Sequence, residues 1–414
     1  MLLSVPEELL ERILCECCNR DRESLRSTCM LLYRLATPLV FERLVVDGNT
    51  SRDKSMARLR ALISGKRFAQ YIRHLKLVML KLPEGKPKDP FDWIFFFNKR
   101  KERKSRKLEK LLLAAISFMT SLRSVAYVGY DERFLQNFAL WDQISHLPYM
   151  STLSIYGSYR QSTSMNLSFP YLAKLSIKGT SYLKFAPILI SNSPNLSSLG
   201  LYDYSPSTSS IPMSIIFSQY PKGTYSSITD LSLCGSLSVY SSDVPILIPH
   251  ISQLRSLELS VGFVASEFWA SLQAERIFVR RLSLSLSKYD PALFDYLCSY
   301  SGLHSLFLHI RTGFGEEATK VHRIIFRTIM GWHDHMTAPE PHKQRKQTVD
   351  VADVRRTLEI VLRSLTGIER SWARVALSFF REEFQHLTMD RVKLFCSAFP
   401  DCRDDWYQLG FEVV

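Results

Sequence analysis

Leu254-Arg255-Ser256-Leu257-Glu258-Leu259 places an apolar residue, two polar ones, a leucine, one polar residue and a second leucine in six positions. In an extended chain, side chains alternate between two faces. Leu257 and Leu259 therefore share one face, and Glu258 turns to the other. A strand this short cannot bury its apolar face alone, so it needs neighbours. The same apolar-x-x-Leu-x-apolar pattern begins at Ile72, Leu122, Met150, Leu172, Leu196, Ile228, Leu254, Val279 and Leu303, with Val125 in place of the middle leucine once.

The nine copies start 50, 28, 22, 24, 32, 26, 25 and 24 residues apart. Repeats of about 20–29 residues with this signature resemble leucine-rich repeats, whose strands stack in parallel and bury a continuous core. Helix-like segments lie between the copies: Leu108 to Phe118, Phe134 to Ile144, Phe185 to Ile190, Ala265 to Leu272 and Pro291 to Tyr300. The expected fold is α/β, a solenoid with parallel strands over residues 72–310 and helices outside them. The Asn that ordinarily follows the third apolar residue is missing, so the usual Asn ladder cannot form in every turn. Two long gaps hold insertions. One, at about 81–107, is basic; the other is rich in Ser, Pro and Tyr.

Ahead of the array, Val5-Pro6-Glu7-Glu8-Leu9-Leu10-Glu11-Arg12-Ile13-Leu14 reads as a helix. Ser4 is placed to cap it, Pro6 suits its first turn, and Glu7 and Glu8 suit its positive end. Leu9, Leu10, Ile13 and Leu14 recur at helical spacing. A second helix is predicted over Glu23 to Leu35, with Leu25, Cys29, Leu32 and Tyr33 on one side, and Pro38 opens a new segment. Residues 1–48 resemble an F-box in the form common in fungal proteins. Val5-Pro6-Glu7-Glu8-Leu9 matches its Leu-Pro-x-Glu-Leu opening, Ile13-Leu14 its two branched residues, Cys29 and Tyr33 its second helix, and Pro38-Leu39-Val40-Phe41 its exit. Val5 departs from the usual leucine, and the stretch from Cys15 to Glu23 is short. An ordinary amphipathic hairpin shares the spacing but does not require the Pro-Glu-Glu opening.

The resemblance implies the substrate-recognition subunit of a cullin-type ubiquitin ligase, with the F-box docked on a Skp-type adaptor and the repeats holding a protein target. Carried over position by position, the adaptor face and its support are Val5, Pro6, Leu9, Ile13, Leu14, Leu25, Cys29 and Tyr33. The outward column of the array is Lys76, Ala126, Ser154, Ser176, Gly200, Ser232, Glu258, Ser283 and Phe307, mostly small residues with few of the anchors that dominate interfaces. Tyr156, Tyr159, Arg160, Tyr202 and Tyr204, just after two strands, are better anchors, so the target is expected on the strand-exit loops. Two alternatives remain open: an F-box protein acting outside any ligase, and a nucleic-acid-binding repeat protein using the basic insertion.

The 414 residues are 46% hydrophobic and 22% charged, the composition of a globular chain with a large core. No apolar run reaches the roughly 18 residues of a membrane span, and no signal peptide is expected. The eight cysteines have no disulfide-like or zinc-like spacing and read as thiols of a cytoplasmic or nuclear protein. The net charge of +13 favours acidic partners or nucleic acid, although Lys99 to Lys107 alone holds seven basic residues in nine. That segment is read as a solvated insertion rather than a nucleic-acid site. No phosphate loop, nucleophile elbow or metal triad is found, and His333-x-His335 lacks a third ligand; no cofactor or enzymatic activity is expected. Beyond 310, helices are predicted over Glu316 to Trp332 and Asp350 to Ser364. A loop is expected over His333 to Thr348, a last strand near Trp372 to Phe379, and a cap over the tail, making 311–414 a helical C-terminal region. Residues 49–71 read as a linking helix.

Overall fold

The computed structural model describes residues 5–48, 51–79, 106–129, 138–157, 168–179, 183, 185–203, 213–217, 220, 225–286, 290–299, 303, 305–311, 356–363, 389–396 and 412–413. The chain forms two compact units, Met1–Leu196 with Ser218–Pro221, and Ser197–Phe217 with Lys222–Val414. Both are α/β with parallel strands.

The first unit begins with three helices, α1 (Glu7–Glu16), α2 (Asn19–Arg26) and α3 (Met30–Phe41). The single helix expected over Glu23 to Leu35 is therefore two. Ser27 and Thr28 explain the break. Their hydroxyls donate to the carbonyls of Ser24 and Leu25 at 2.7 and 2.8 Å, closing the end of α2, and Cys29 is extended at the head of α3. Pro38 lies inside α3 rather than opening a new segment. Ser4 falls outside the described residues. The linking helix also divides. α4 (Arg52–Ser64) stops at Gly65, and Lys66–Tyr71 is a 3-10 helix.

Five strands follow one another in this unit: β1 (Arg43–Asp47), β2 (His74–Met79), β3 (Ser124–Gly129), β4 (Thr152–Tyr156) and β5 (Lys174–Lys178). Each pairs in parallel with the next. The second unit repeats the plan with β6 (Ser198–Asp203), β7 (Asp230–Val239), β8 (Ser256–Val264), β9 (Arg281–Leu286), β10 (Ser305–Arg311), β11 (Arg356–Arg363), β12 (Met389–Cys396) and β13 (Glu412–Val413). Successive parallel strands need crossovers, and helices at 106–116, Phe138–Ser145, Ala186–Ser191, Ser266–Ala274 and Pro291–Cys298 supply them.

All nine sequence copies are strands. The first apolar residue of each, from Ile72 to Leu303, is at most 3% exposed, and so are the two that follow in the eight copies from Leu75–Leu77 to Leu282–Leu284. The register aligns the outward residues: Lys76, Ala126, Ser154 and Ser176 pair in sequence in the first unit, and Gly200, Ser232, Glu258, Ser283 and Phe307 in the second.

A backbone ladder runs along the leading edge, where strands begin. In most copies the carbonyl of the residue after the first apolar position accepts two N–H groups from the next copy. Glu42 takes those of Arg73 and His74, Arg73 those of Arg123 and Ser124, and Arg123 those of Ser151 and Thr152, at 2.8–3.0 Å. Ser197, Thr229 and Arg255 do the same in the second unit. Main-chain groups thus hold neighbouring turns together along this edge without an Asn ladder.

Two regions differ from expectation. Residues 356–363 form β11, not part of a helix over Asp350 to Ser364. Leu358, Val361 and Leu362 fit a helical stripe, but Leu358, Ile360 and Leu362 alternate, Thr357, Ile360 and Val361 are β-branched, and β10 offers a parallel partner. The C-terminal region, expected to be helical, contains β12 and β13 as well. The segments Glu316 to Trp332, His333 to Thr348 and Trp372 to Phe379 lie outside the described residues, as does the basic insertion up to residue 105.

Candidate functional site

The N-terminal module exposes what the strand array hides. Leu9 and Leu10 donate their N–H groups to the Pro6 carbonyl at 3.1 Å, starting α1 at the proline. Two adjacent stripes of α1 then diverge. Leu10 and Leu14 are 3% and 1% exposed and join Leu32, Leu35 and Ala36 in a small core. Val5, Leu25 and Cys29 are half-buried against that core. Pro6, Leu9 and Ile13 point away from it; Leu9 is 48% and Ile13 52% exposed. Of the eight residues carried over by resemblance, Leu14, Val5, Leu25 and Cys29 therefore support the module, while Pro6, Leu9 and Ile13 form a free apolar stripe.

Tyr33, the eighth, lines a groove of about 520 Å³ with Met30, Leu31, Arg34 and Thr37 of α3 and Arg67, Phe68 and Tyr71 of the 3-10 helix. Met30 is 83% exposed. Arg34 pairs with Glu7 at 2.6 Å, joining the groove wall to the start of α1. Behind the groove, the Arg26 guanidinium lies 4.9, 5.0 and 5.9 Å from the ring centres of Tyr33, Phe41 and Phe68. Its Nε is buried without a hydrogen-bond partner. The ring faces stabilise its charge and tie α2 and α3 to the 3-10 helix. Met30, Arg67, Phe68 and Tyr71 were not legible as site residues, because the groove's two walls, ending at Thr37 and starting at Arg67, lie 30 or more positions apart.

Among the residues expected to bind the target, Tyr156 ends β4 and Tyr202 lies within β6, so both belong to strands rather than to exit loops. By alternation they share the outward face with Ser154 and Gly200. The Tyr202 ring lies across Gly200, where an added Cβ would meet it at 2.8 Å. Tyr159, Arg160 and Tyr204 lie outside the described residues. A further exposed pair, Tyr240 (40%) and Phe263 (51%), sits at the far ends of β7 and β8 with ring centres 5.9 Å apart. The long alternation from Leu231 to Val239 signals that extension.

No protein-family model matches the chain, and no curated protein matches it. Among the described residues no helix is long and apolar enough to cross a membrane.

Proposed function

We propose that this chain is the substrate-recognition subunit of a cullin-type ubiquitin ligase. In this reading residues 1–48 are an F-box module that docks on a Skp-type adaptor, and the strand array is a leucine-rich-repeat-like solenoid that holds a protein target. One observation carries it: Leu9 and Ile13 stand exposed on the α1 stripe that starts at Pro6, beside a core already closed by Leu10 and Leu14. An apolar stripe left open on a small module marks a docking surface, and these positions match the motif residues of the resemblance. The subunit would form no bond itself. It would raise the effective concentration of a target lysine near the conjugating enzyme, in the cytoplasm or nucleus.

Tyr156 and Tyr202, on the outward face of the strands, are aromatic anchors of the kind that carry binding energy. The test is affinity purification from cells with the ligase pathway inhibited. Wild-type protein should bring down adaptor and cullin. The double variant Leu9→Ser/Ile13→Ser should lose both while folding normally, and retention of the adaptor by that variant would refute the docking face.

A further inference from the structure

We propose that the leading edge of the first unit binds a carboxylate-rich peptide segment through Arg43, Arg73 and Arg123. These arginines come from three successive chain turns. Arg43 opens β1 and pairs in register with His74, which pairs in turn with Ser124. Arg73 and Arg123 occupy equivalent ladder positions, because the Arg73 carbonyl accepts the Arg123 N–H at 2.8 Å. Adjacent strands lie about 4.8 Å apart, so the main chain brings three exposed guanidinium-bearing side chains to one edge within two strand spacings, Arg73 and Arg123 in one column and Arg43 one residue further on, in the column of His74 and Ser124.

The charge there is not balanced from within. Glu42 is the carboxylate at this edge, 3.5 Å from Arg73 and 3.9 Å from His74. Among the described residues Arg43 and Arg123 have no ion-pair partner. His74, hydrogen-bonded to the Ser124 hydroxyl at 2.7 Å, reports the same field. Burial lowers its pKa first; Glu42 raises it, and Arg43, Arg73 and Arg123 lower it further. Lys174 adds a fourth exposed cation at the start of β5. The second unit has arginines on its own leading edge, but there Asp230 lies 3.4 Å from Arg281.

Side-by-side cations repel one another, and a polyanion laid along them removes that repulsion. Guanidinium forks match carboxylates in bidentate geometry. Ser124, Ser151, Thr152 and Ala173 between these cations are small and carry no ring, and the His74 ring beside them is tied to the Ser124 hydroxyl, which favours a peptide over single-stranded nucleic acid. The inference concerns binding alone and stands or falls apart from the ligase reading.

The test uses the full chain and a fluorescein-labelled ten-residue peptide of alternating Glu and Gly, followed by anisotropy at low salt and at 0.15 M salt. Binding should weaken with salt. The variant Arg43→Ser/Arg123→Ser should bind at least tenfold more weakly. A charge-matched control on the exposed side of α4, Lys54→Ser/Arg58→Ser, should bind within about twofold of wild type. Three results would overturn the proposal: no binding by wild type, equal loss in both variants, or full binding by Arg43→Ser/Arg123→Ser, which places the peptide on the basic insertion. A ten-nucleotide dT strand that binds tenfold more tightly than the peptide, and is lost in the same variant, would also overturn it in favour of a nucleic-acid surface.

Discussion

The helical module and the strand array use leucines in opposite ways. In the array, pairs such as Leu257 and Leu259 are at most 3% exposed from Leu75–Leu77 to Leu282–Leu284, because neighbouring strands and covering helices close over them. In α1, two leucines are buried, while Leu9 and Ile13 stay about half-exposed. The difference follows from geometry. A strand within a parallel stack has its apolar face covered by the next turns of chain. A three-helix module of some forty residues has no further layer, so a second apolar stripe has nothing of its own to pack against. Burial in the array reports stability, whereas exposure in the module is what the proposed docking role requires.

The sharpest way to break this comparison is to truncate an array leucine. Leu257→Ala removes a side chain that is 1% exposed and should cost about 2–5 kcal/mol in chemical denaturation. Ser256 and Glu258 flank it, half-buried and exposed, and Ala at either should stay within about 0.5 kcal/mol. Glu258 accepts a hydrogen bond from Ser232 at 2.6 Å, but that contact is exposed and contributes little. Equal losses at all three positions would mean that the strand is not buried on one face.

A backbone change probes strand spacing instead. Gly235 has a φ of +90°, and a Cβ there would fall 1.6 Å from the Asp203 carbonyl oxygen on the adjacent strand. Gly235→Ala must push β6 and β7 apart or twist the bulge that follows, at about 2–3 kcal/mol. Hydrogen exchange should quicken in both strands and stay unchanged in α1 to α3.

His250 sharpens the comparison through pH. It is 3% exposed and stacked 4.6 Å from Phe217, with its Nδ1 accepting the Ser226 N–H at 3.1 Å. Burial pushes its pKa down to about 4 from 6.5. The unfolded chain therefore takes up this proton near pH 6.5, and the folded chain does so only near pH 4. Stability from this group is full above pH 6.5 and declines as the pH falls to 4, by at most about 3 kcal/mol. His250→Gln should flatten the slope of unfolding free energy across that window. An unchanged slope would mean that the imidazole is not kept neutral by burial.

The array was legible because its signal is periodic. Nine copies recur at near-constant spacing, and every one is a strand. Two further stretches carry the pattern and are strands. Phe41-Glu42-Arg43-Leu44-Val45-Val46 fits it and is β1, although Phe41 also ends the helical motif. Met389-Asp390-Arg391-Val392-Lys393-Leu394 fits with Val392 as its middle residue and is β12. β11 was harder, since Leu358, Val361 and Leu362 satisfy a helix and Leu358, Ile360 and Leu362 a strand; pairing with a neighbour decided it, and that is not local information. In the module the sequence marks Leu9, Leu10, Ile13 and Leu14 as apolar at helical spacing but not which side each one faces. Leu9 and Leu10 are adjacent and both apolar, and only the position of α3 makes one surface and the other core. Likewise nothing local announces that Arg26 will lie among Tyr33, Phe41 and Phe68.

The smallest expected effect bears most directly on the comparison. Leu9→Ala with Ile13→Ala removes two apolar side chains from α1, the same residue types whose loss is costly in the array. Alanine is the better helix former at both positions, and neither side chain fills a closed core, so the helix loses no packing of its own. Unfolding free energy should shift by no more than about 0.5 kcal/mol and the far-UV circular dichroism should be unchanged. Leu14→Ala, one residue from Ile13, leaves a cavity beside Leu32 and Leu35 and should cost about 2–5 kcal/mol. If the Leu9/Ile13 pair costs as much as Leu14 alone, both stripes are core in the isolated protein. The exposed face would then be no free docking surface, and the contrast between module and array would collapse.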